Sequence, residues 1–256
     1  MNEDLKEQIN KALSEDIRLD GRKPMEFREV VVEAGMIETA EGSARVRIGK
    51  TELLCGVKME IGTPYPDTPD EGTISVNAEF LPISSPDFEA GPPGEEAVEL
   101  ARVVDRGIRE SKAVDFKKLC ITPGEKCWIV NIDICTLNAD GNLIDTAGLA
   151  AITALMNTKL PEFDGQKVDY RKKTEQGLPI VRCPIPVTVV KFGEKFIVDP
   201  SLNEEKVLDA RLTVAVTEKG TISAMQKGGE SPITMDEVDR MLDIAIEKSA
   251  EIRKKI

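Results

Sequence analysis

From position 127 to 138 apolar and polar residues alternate, with Trp128, Val130, Ile132 and Ile134 set against Asn131 and Asp133, the period-two pattern of a strand with one buried face. The alternation stops at Ala139-Asp140-Gly141-Asn142. From 142 to 160 small and apolar residues follow, with Leu149, Ile152, Leu155 and Met156 at helical spacing, so a helix begins where the turn ends. The rest of the chain divides in the same way. Residues 3–15 read as an amphipathic helix with Leu5, Ile9 and Leu13 on one side. Strands follow near 28–35, 43–49 and 51–60, the last two joined at Gly49-Lys50, a hairpin signal. The Pro-rich loop Thr63-Pro-Tyr-Pro-Asp-Thr-Pro69 leads to a strand at 73–81. A second loop ends at Gly91-Pro-Pro-Gly94, before a helix over 95–111. The second half carries strands near 185–192, 195–199, 208–217 and 221–227. A last helix opens on the capping box Thr234-x-x-Glu237 and is built on Val238, Met241, Leu242, Ala245 and Ile252. Between the halves, 161–184 is polar and basic with Pro161, Gly165, Gly177 and Pro179, and reads as a connection between domains 1–160 and 185–256. Its run 167–173 reads as a flexible surface loop. Strands gathered before helices in each half predict an α+β fold of two similar units with mixed sheets flanked by helices.

Composition narrows the chemistry. A net charge of -12 over 256 residues argues against wrapping nucleic acid with the whole surface, so RNA contact requires a local basic patch. The five cysteines, Cys55, Cys120, Cys127, Cys135 and Cys183, contain no CxxC pair and mostly sit in apolar runs. They read as reduced residues of a cytoplasmic protein, neither disulfides nor zinc ligands. The chain has no histidine, which removes Ser-His, Cys-His and His-metal mechanisms together. No apolar run is long enough for a membrane, no leader is recognisable, and no GxGxxG or GxxxxGK[ST] fingerprint suggests a cofactor. No metal site is expected.

The helix start after Gly141 is shaped to attract an anion through free backbone N–H groups. Enzymes that hold phosphate this way usually add a hydroxyl and a cation. Here those places hold Leu143 and Ile144.

Five motifs in order, Arg18-Leu-Asp-Gly-Arg22, Gly42-Ser-Ala-Arg-Val46, Gly91-Pro-Pro-Gly94, Glu99-Leu-Ala-Arg-Val-Val-Asp-Arg106 and Ala139-Asp-Gly141, cover nearly the whole chain. Through them it resembles the ribonuclease PH family, and within it the non-catalytic ring subunits of the archaeal exosome. The resemblance implies a ribonuclease PH-like fold and a 3′–5′ phosphorolytic complex. It also implies a catalytic ribonuclease PH-like partner arranged with this chain as a trimer of heterodimers in a hexameric ring, RNA-binding cap proteins, and single-stranded RNA. Active members carry Ser or Thr followed by Arg after Ala-Asp-Gly, where this chain has Leu143 and Ile144. They place two acids six apart where it has Glu205 and Arg211, and a guanidinium cannot act as a general acid. They carry paired arginines where it has Glu95 and Glu96. No catalytic residue is therefore expected here. A register shifted by two residues would bring Asp209 in place of Arg211, which keeps an independently active phosphorolytic exoribonuclease open as the alternative.

On the 95–111 helix Arg102, Arg106 and Arg109 fall at i, i+4 and i+7, one stripe opposite Ala97, Leu100, Ala101, Val104 and Ile108. Spacing alone favours a solvated face with Arg106 paired to Glu110 and Asp105 to Arg109. The resemblance reverses that reading for Arg102 and Arg106, as RNA-holding residues, and less firmly for Arg109. Arg45 and Arg47 read as the outer face of a half-buried strand, Gly21 and Gly42 as turn residues, and Trp128 as core. Strands 43–49 and 73–81 read as exposed edges needing a partner, which predicts poor solubility or homo-association of the chain without that partner.

Overall fold

In the computed structural model, which describes residues 2–256, the first half comprises α1 (Asn2–Ser14), β1 (Val30–Ala34), β2 (Gly42–Ile48), β3 (Thr51–Gly62), β4 (Thr73–Glu79), α2 (Glu95–Glu110), β5 (Cys120–Thr122), β6 (Lys126–Asn138) and α3 (Leu143–Met156). The second comprises β7 (Lys159–Phe163), β8 (Val168–Gly177), β9 (Ile185–Phe192), β10 (Lys195–Val198), α4 (Leu202–Glu205), β11 (Ala210–Val216), β12 (Ile222–Gly228) and α5 (Met235–Arg253). One sheet runs β1-β2-β3-β6-β4 with β5 also on β6, and only β4 is parallel to its neighbour. The other runs β10-β9-β11-β12, antiparallel throughout.

Two helices lie between the sheets. α3 packs on β2 and β3 on one side and β9 on the other, while α2 meets β4 and β12. Strand alternation explains the layering: Val130, Ile132 and Ile134 of β6 join Leu149, Ile152 and Leu155 of α3 in one core. Val187 and Val189 of β9 face Met241 and Ala245 of α5, while Thr188 between them turns to Asp145 of α3. Each fully buried Val, Leu, Ile or Met side chain among them contributes roughly 1.5–3 kcal/mol. α5 is closed at its start by the reciprocal Thr234 and Glu237 box, as its spacing predicts.

Several expectations are corrected. The helix after the turn stops at Met156, four residues early, because β7 begins at Lys159. The segment 161–184 is no plain linker: β7 and β8 form a separate two-stranded ribbon. All of the run 167–173 but Lys167 falls in exposed β8 and is extended, tied by Lys173 Nζ to the Glu38 carbonyl at 2.8 Å and by Lys58 over the Tyr170 ring. A strand exposed on both faces carries no apolar alternation, so its periodicity is silent. Although α1 belongs to the first half by position, Ile9 and Leu13 pack on Val190, Phe192 and Ile197 of the second. The strand at 42–48 is not an edge, because β1 pairs with it from the outside; of the two strands expected at edges, only β4 is one. Nor is Gly42 a turn residue. It starts β2 against the end of α3, where a Cβ would lie 2.1 Å from Thr158 Oγ1 and 2.4 Å from the Ala154 carbonyl oxygen, so the close approach requires glycine.

Candidate functional site

The turn between β6 and α3 is closed by the protein itself. Gly141 has φ +83°, and a Cβ there would lie 2.5 Å from the Pro200 carbonyl oxygen, so the loop before α4 presses on it and only glycine fits. Arg28 donates to the carbonyls of Asp140 at 2.7 Å and Gly141 at 3.2 Å. Thr51 Oγ1 donates to the Gly141 carbonyl at 2.6 Å and accepts from Asp140 N–H. Asn142, in left-handed conformation at the helix start, gives its N–H to Glu205 Oε1 at 2.8 Å. The N–H of Asn142 is thus not free, as the helix start suggested it would be. The acceptor it meets is the chain's own Glu205 carboxyl group, delivered by α4. Leu143 and Ile144 turn into apolar surroundings, Ile144 beside Val103, Val104 and Ile108 of α2 and Pro186.

Three acids surround this turn, Asp145 and Asp199 buried and Glu205 half-buried. Burial pushes Glu205 up to about 7, against the pull of Asn142 N–H, Arg211 and Arg28. Burial likewise pushes Asp145 to about 7, against hydrogen bonds from Thr188. Burial also acts to raise Asp199, but the hydrogen bonds and charge of Arg28 outweigh it and hold the carboxyl below its ordinary value. For Glu205 the folded value lies above the unfolded one, so its contribution to stability is complete below about pH 4.5 and is lost as pH rises to about 7. Glu205→Gln keeps an acceptor for Asn142 without a charge to desolvate. It is expected to match the wild type at pH 4 and exceed it at pH 8 by up to ~3 kcal/mol. Urea midpoints at the two pH values check this, and a variant that is weaker at pH 8 contradicts it.

Arg211 is engaged at one nitrogen while its Nη1 is buried with no hydrogen-bond partner among the described residues. Its Nη2 donates to Glu99 Oε2 of α2 at 2.8 Å. Asp209, the acid that a shifted register would bring in, is engaged elsewhere, by Lys6 Nζ at 2.5 Å and the Gly193 N–H at 2.6 Å. Glu95 and Glu96 are exposed in the first turn of α2, where the helix dipole favours acids.

The α2 arginines take different surroundings. Arg102 is exposed and makes no ion pair among the described residues. Arg106 does not reach Glu110; its Nη2 donates to Gln226 Oε1 on β12 at 2.5 Å. Arg109 pairs with Asp105 at 2.8 Å, as spacing suggests, and donates to the Ile74 carbonyl of β4 at 3.0 Å. Arg45 is paired with Glu52 at 2.6 Å, in keeping with an outer strand face. The pairings of Gln226 and Glu99 with these arginines leave no signal in the sequence, since no periodicity relates α2 to β12. All five cysteines are free thiols. Among the described residues no cluster of acids or cysteines could hold a metal, and no helix is long and apolar enough to cross a membrane.

Residues 26–161 match the profile of the 3′ exoribonuclease family, domain 1, and residues 183–248 that of domain 2. The exosome complex component Rrp42 of Thermococcus kodakarensis is 47% identical over 260 residues, covering 98% of this chain and 94% of that one. The Rrp42 of Methanosarcina acetivorans is 51% identical over 237 residues, covering 92% and 87%. A chain of the Archaeoglobus fulgidus exosome with RNA bound to the active site superposes with a TM-score of 0.92 at 46% identity, covering 99% of this chain and 98% of that one. A chain of an archaeal exosome core gives 0.87 at 44% identity, covering 99% and 96%.

Proposed function

Because the chain belongs to the 3′ exoribonuclease family through both of its domains, we propose that it is a non-catalytic ring subunit of an archaeal exosome, a 3′–5′ phosphorolytic RNA-degrading complex. It alternates with a catalytic ribonuclease PH-like subunit as a trimer of heterodimers, carries RNA-binding cap proteins, and holds single-stranded RNA beside the partner's active site. Rrp42 is the name of the relatives aligned above. Free thiols suit a cytoplasmic location.

The observation that carries the non-catalytic reading is the Glu205 carboxylate on the Asn142 N–H, 2.8 Å away. Phosphorolysis needs an electropositive pocket for inorganic phosphate and an acid for the leaving oxygen. At this turn an internal carboxylate meets the backbone donor, two aliphatic side chains stand where a hydroxyl and a cation would serve, and Arg211 is neutralised by Glu99. RNA contact is assigned to Arg102 and Arg106, since Arg109 is committed to Asp105 and Ile74.

The test is degradation of end-labelled single-stranded RNA with phosphate and magnesium. The chain alone is expected to release no nucleoside diphosphate, and to raise the rate when added to the catalytic subunit. Phosphate-dependent release by the chain alone would overturn the non-catalytic reading and leave the alternative, an independent exoribonuclease.

A further inference from the structure

Arg211 stands where a catalytic acid would be expected, yet it is anchored too firmly to be a mere loss. It lies opposite Gly228 in the β11–β12 ladder, and a Cβ at 228 would sit 2.6 Å from its Nε, so the guanidinium occupies the space that glycine leaves. From there Nη2 holds Glu99 Oε2 at 2.8 Å. The other oxygen of Glu99 accepts from Gln226 Nε2 at 3.1 Å. That bond decides which end of the amide is the oxygen, since only the NH2 can donate to a carboxylate. The oxygen therefore faces Arg106, whose Nη2 donates to it at 2.5 Å. One unbroken chain of hydrogen bonds joins β11, α2 and β12 and ends on the stripe.

We propose that Gln226, oriented by the Arg211–Glu99 ion pair, is a positioning residue that presents the Arg106 guanidinium to the RNA backbone; this rests on the RNA-holding role proposed for Arg106. A free arginine loses rotamer entropy whenever it grips a phosphate, and a guanidinium already held in place loses less. Gln226 can do this without competing for the ligand. As a neutral acceptor it occupies one of five N–H donors and leaves the positive charge intact. A carboxylate in the same place would cancel that charge.

The test is a double-mutant cycle on the ring reconstituted with its catalytic subunit, read by fluorescence anisotropy of a labelled single-stranded oligoadenylate. Gln226→Ala is expected to weaken binding about fivefold, the scale of one net hydrogen bond. Arg211→Met should do the same at one remove. In an Arg106→Ala background neither substitution should weaken binding further, because a positioning residue has nothing left to position. A purely structural role would move thermal stability and persist in that background. Equal effects with and without Arg106, or no effect of Gln226→Ala where Arg106→Ala weakens binding, would overturn the positioning role. If Arg106→Ala leaves binding unchanged, the RNA role of Arg106 itself fails, and the positioning role with it.

Discussion

Replacing Arg102 and Arg106 together by alanine is expected to weaken RNA binding by the assembled ring at least tenfold. Hydrogen bonds from a charged donor contribute about 1.5–3 kcal/mol each, enough for that loss at either position. The surrounding surface cannot compensate, because the chain carries a net charge of -12 and otherwise repels a polyanion. Salt dependence distinguishes direct phosphate contact from a fold effect. Each contact to single-stranded nucleic acid contributes about 0.7 to the slope of log affinity against log salt, so the slope should flatten by about 1.4. An unchanged slope would place RNA elsewhere on the ring. Arg109→Ala should change that slope little, since its guanidinium already lies on Asp105 and Ile74, and lysine at 102 and 106 should restore the slope more fully than the affinity.

Asp199→Ala is expected to destabilise the chain by about 3–5 kcal/mol, the cost of removing one partner from a buried ion pair. The carboxylate is fully buried. Oδ2 accepts from Arg22 Nη1, Arg28 Nε and Arg28 N–H, each at 2.8 Å. Oδ1 accepts from Arg28 Nη2 at 2.7 Å and Asn142 Nδ2 at 2.8 Å. Its loss strands the Arg28 guanidinium, leaves Arg22 with Asp20 as its remaining carboxylate, and loosens the turn that Arg28 holds through Asp140 and Gly141. The pH dependence has the opposite sense to that of Glu205. The folded value of Asp199 is depressed, so its contribution is present above the ordinary value of 3.8 and disappears as pH falls below it. Denaturation at pH 7 and pH 3 should show a large gap between wild type and variant at the first and a smaller one at the second. A constant gap would mean that Asp199 acts through shape and not charge.

Much of the architecture was legible from local pattern. The alternation of β6, the amphipathic stripes of α1 and α2, the Gly49-Lys50 hairpin and the Thr234 capping box each report on residues that are near in sequence and share one physical environment. Where environment ceased to alternate, the reading failed. β8 is wet on both faces, and so looked like a loop. The start of the helix after Gly141 was read correctly; its end was not, because a strand of similar apolarity follows within three residues.

At the site, the sequence determined which side chains are absent: the hydroxyl and cation after Gly141, the second acid at 211, the arginine pair at 95 and 96. It could not determine what stands in their place. That Glu205 takes the Asn142 N–H across 63 positions, that Arg211 turns to Glu99 across 112, and that Arg106 meets Gln226 across 120 were decided only by the tertiary structure. The reason is physical: these groups are brought together by the packing of α2 and α3 between two sheets and by the register of β11 on β12. Neither leaves a trace in the spacing of residues along the chain.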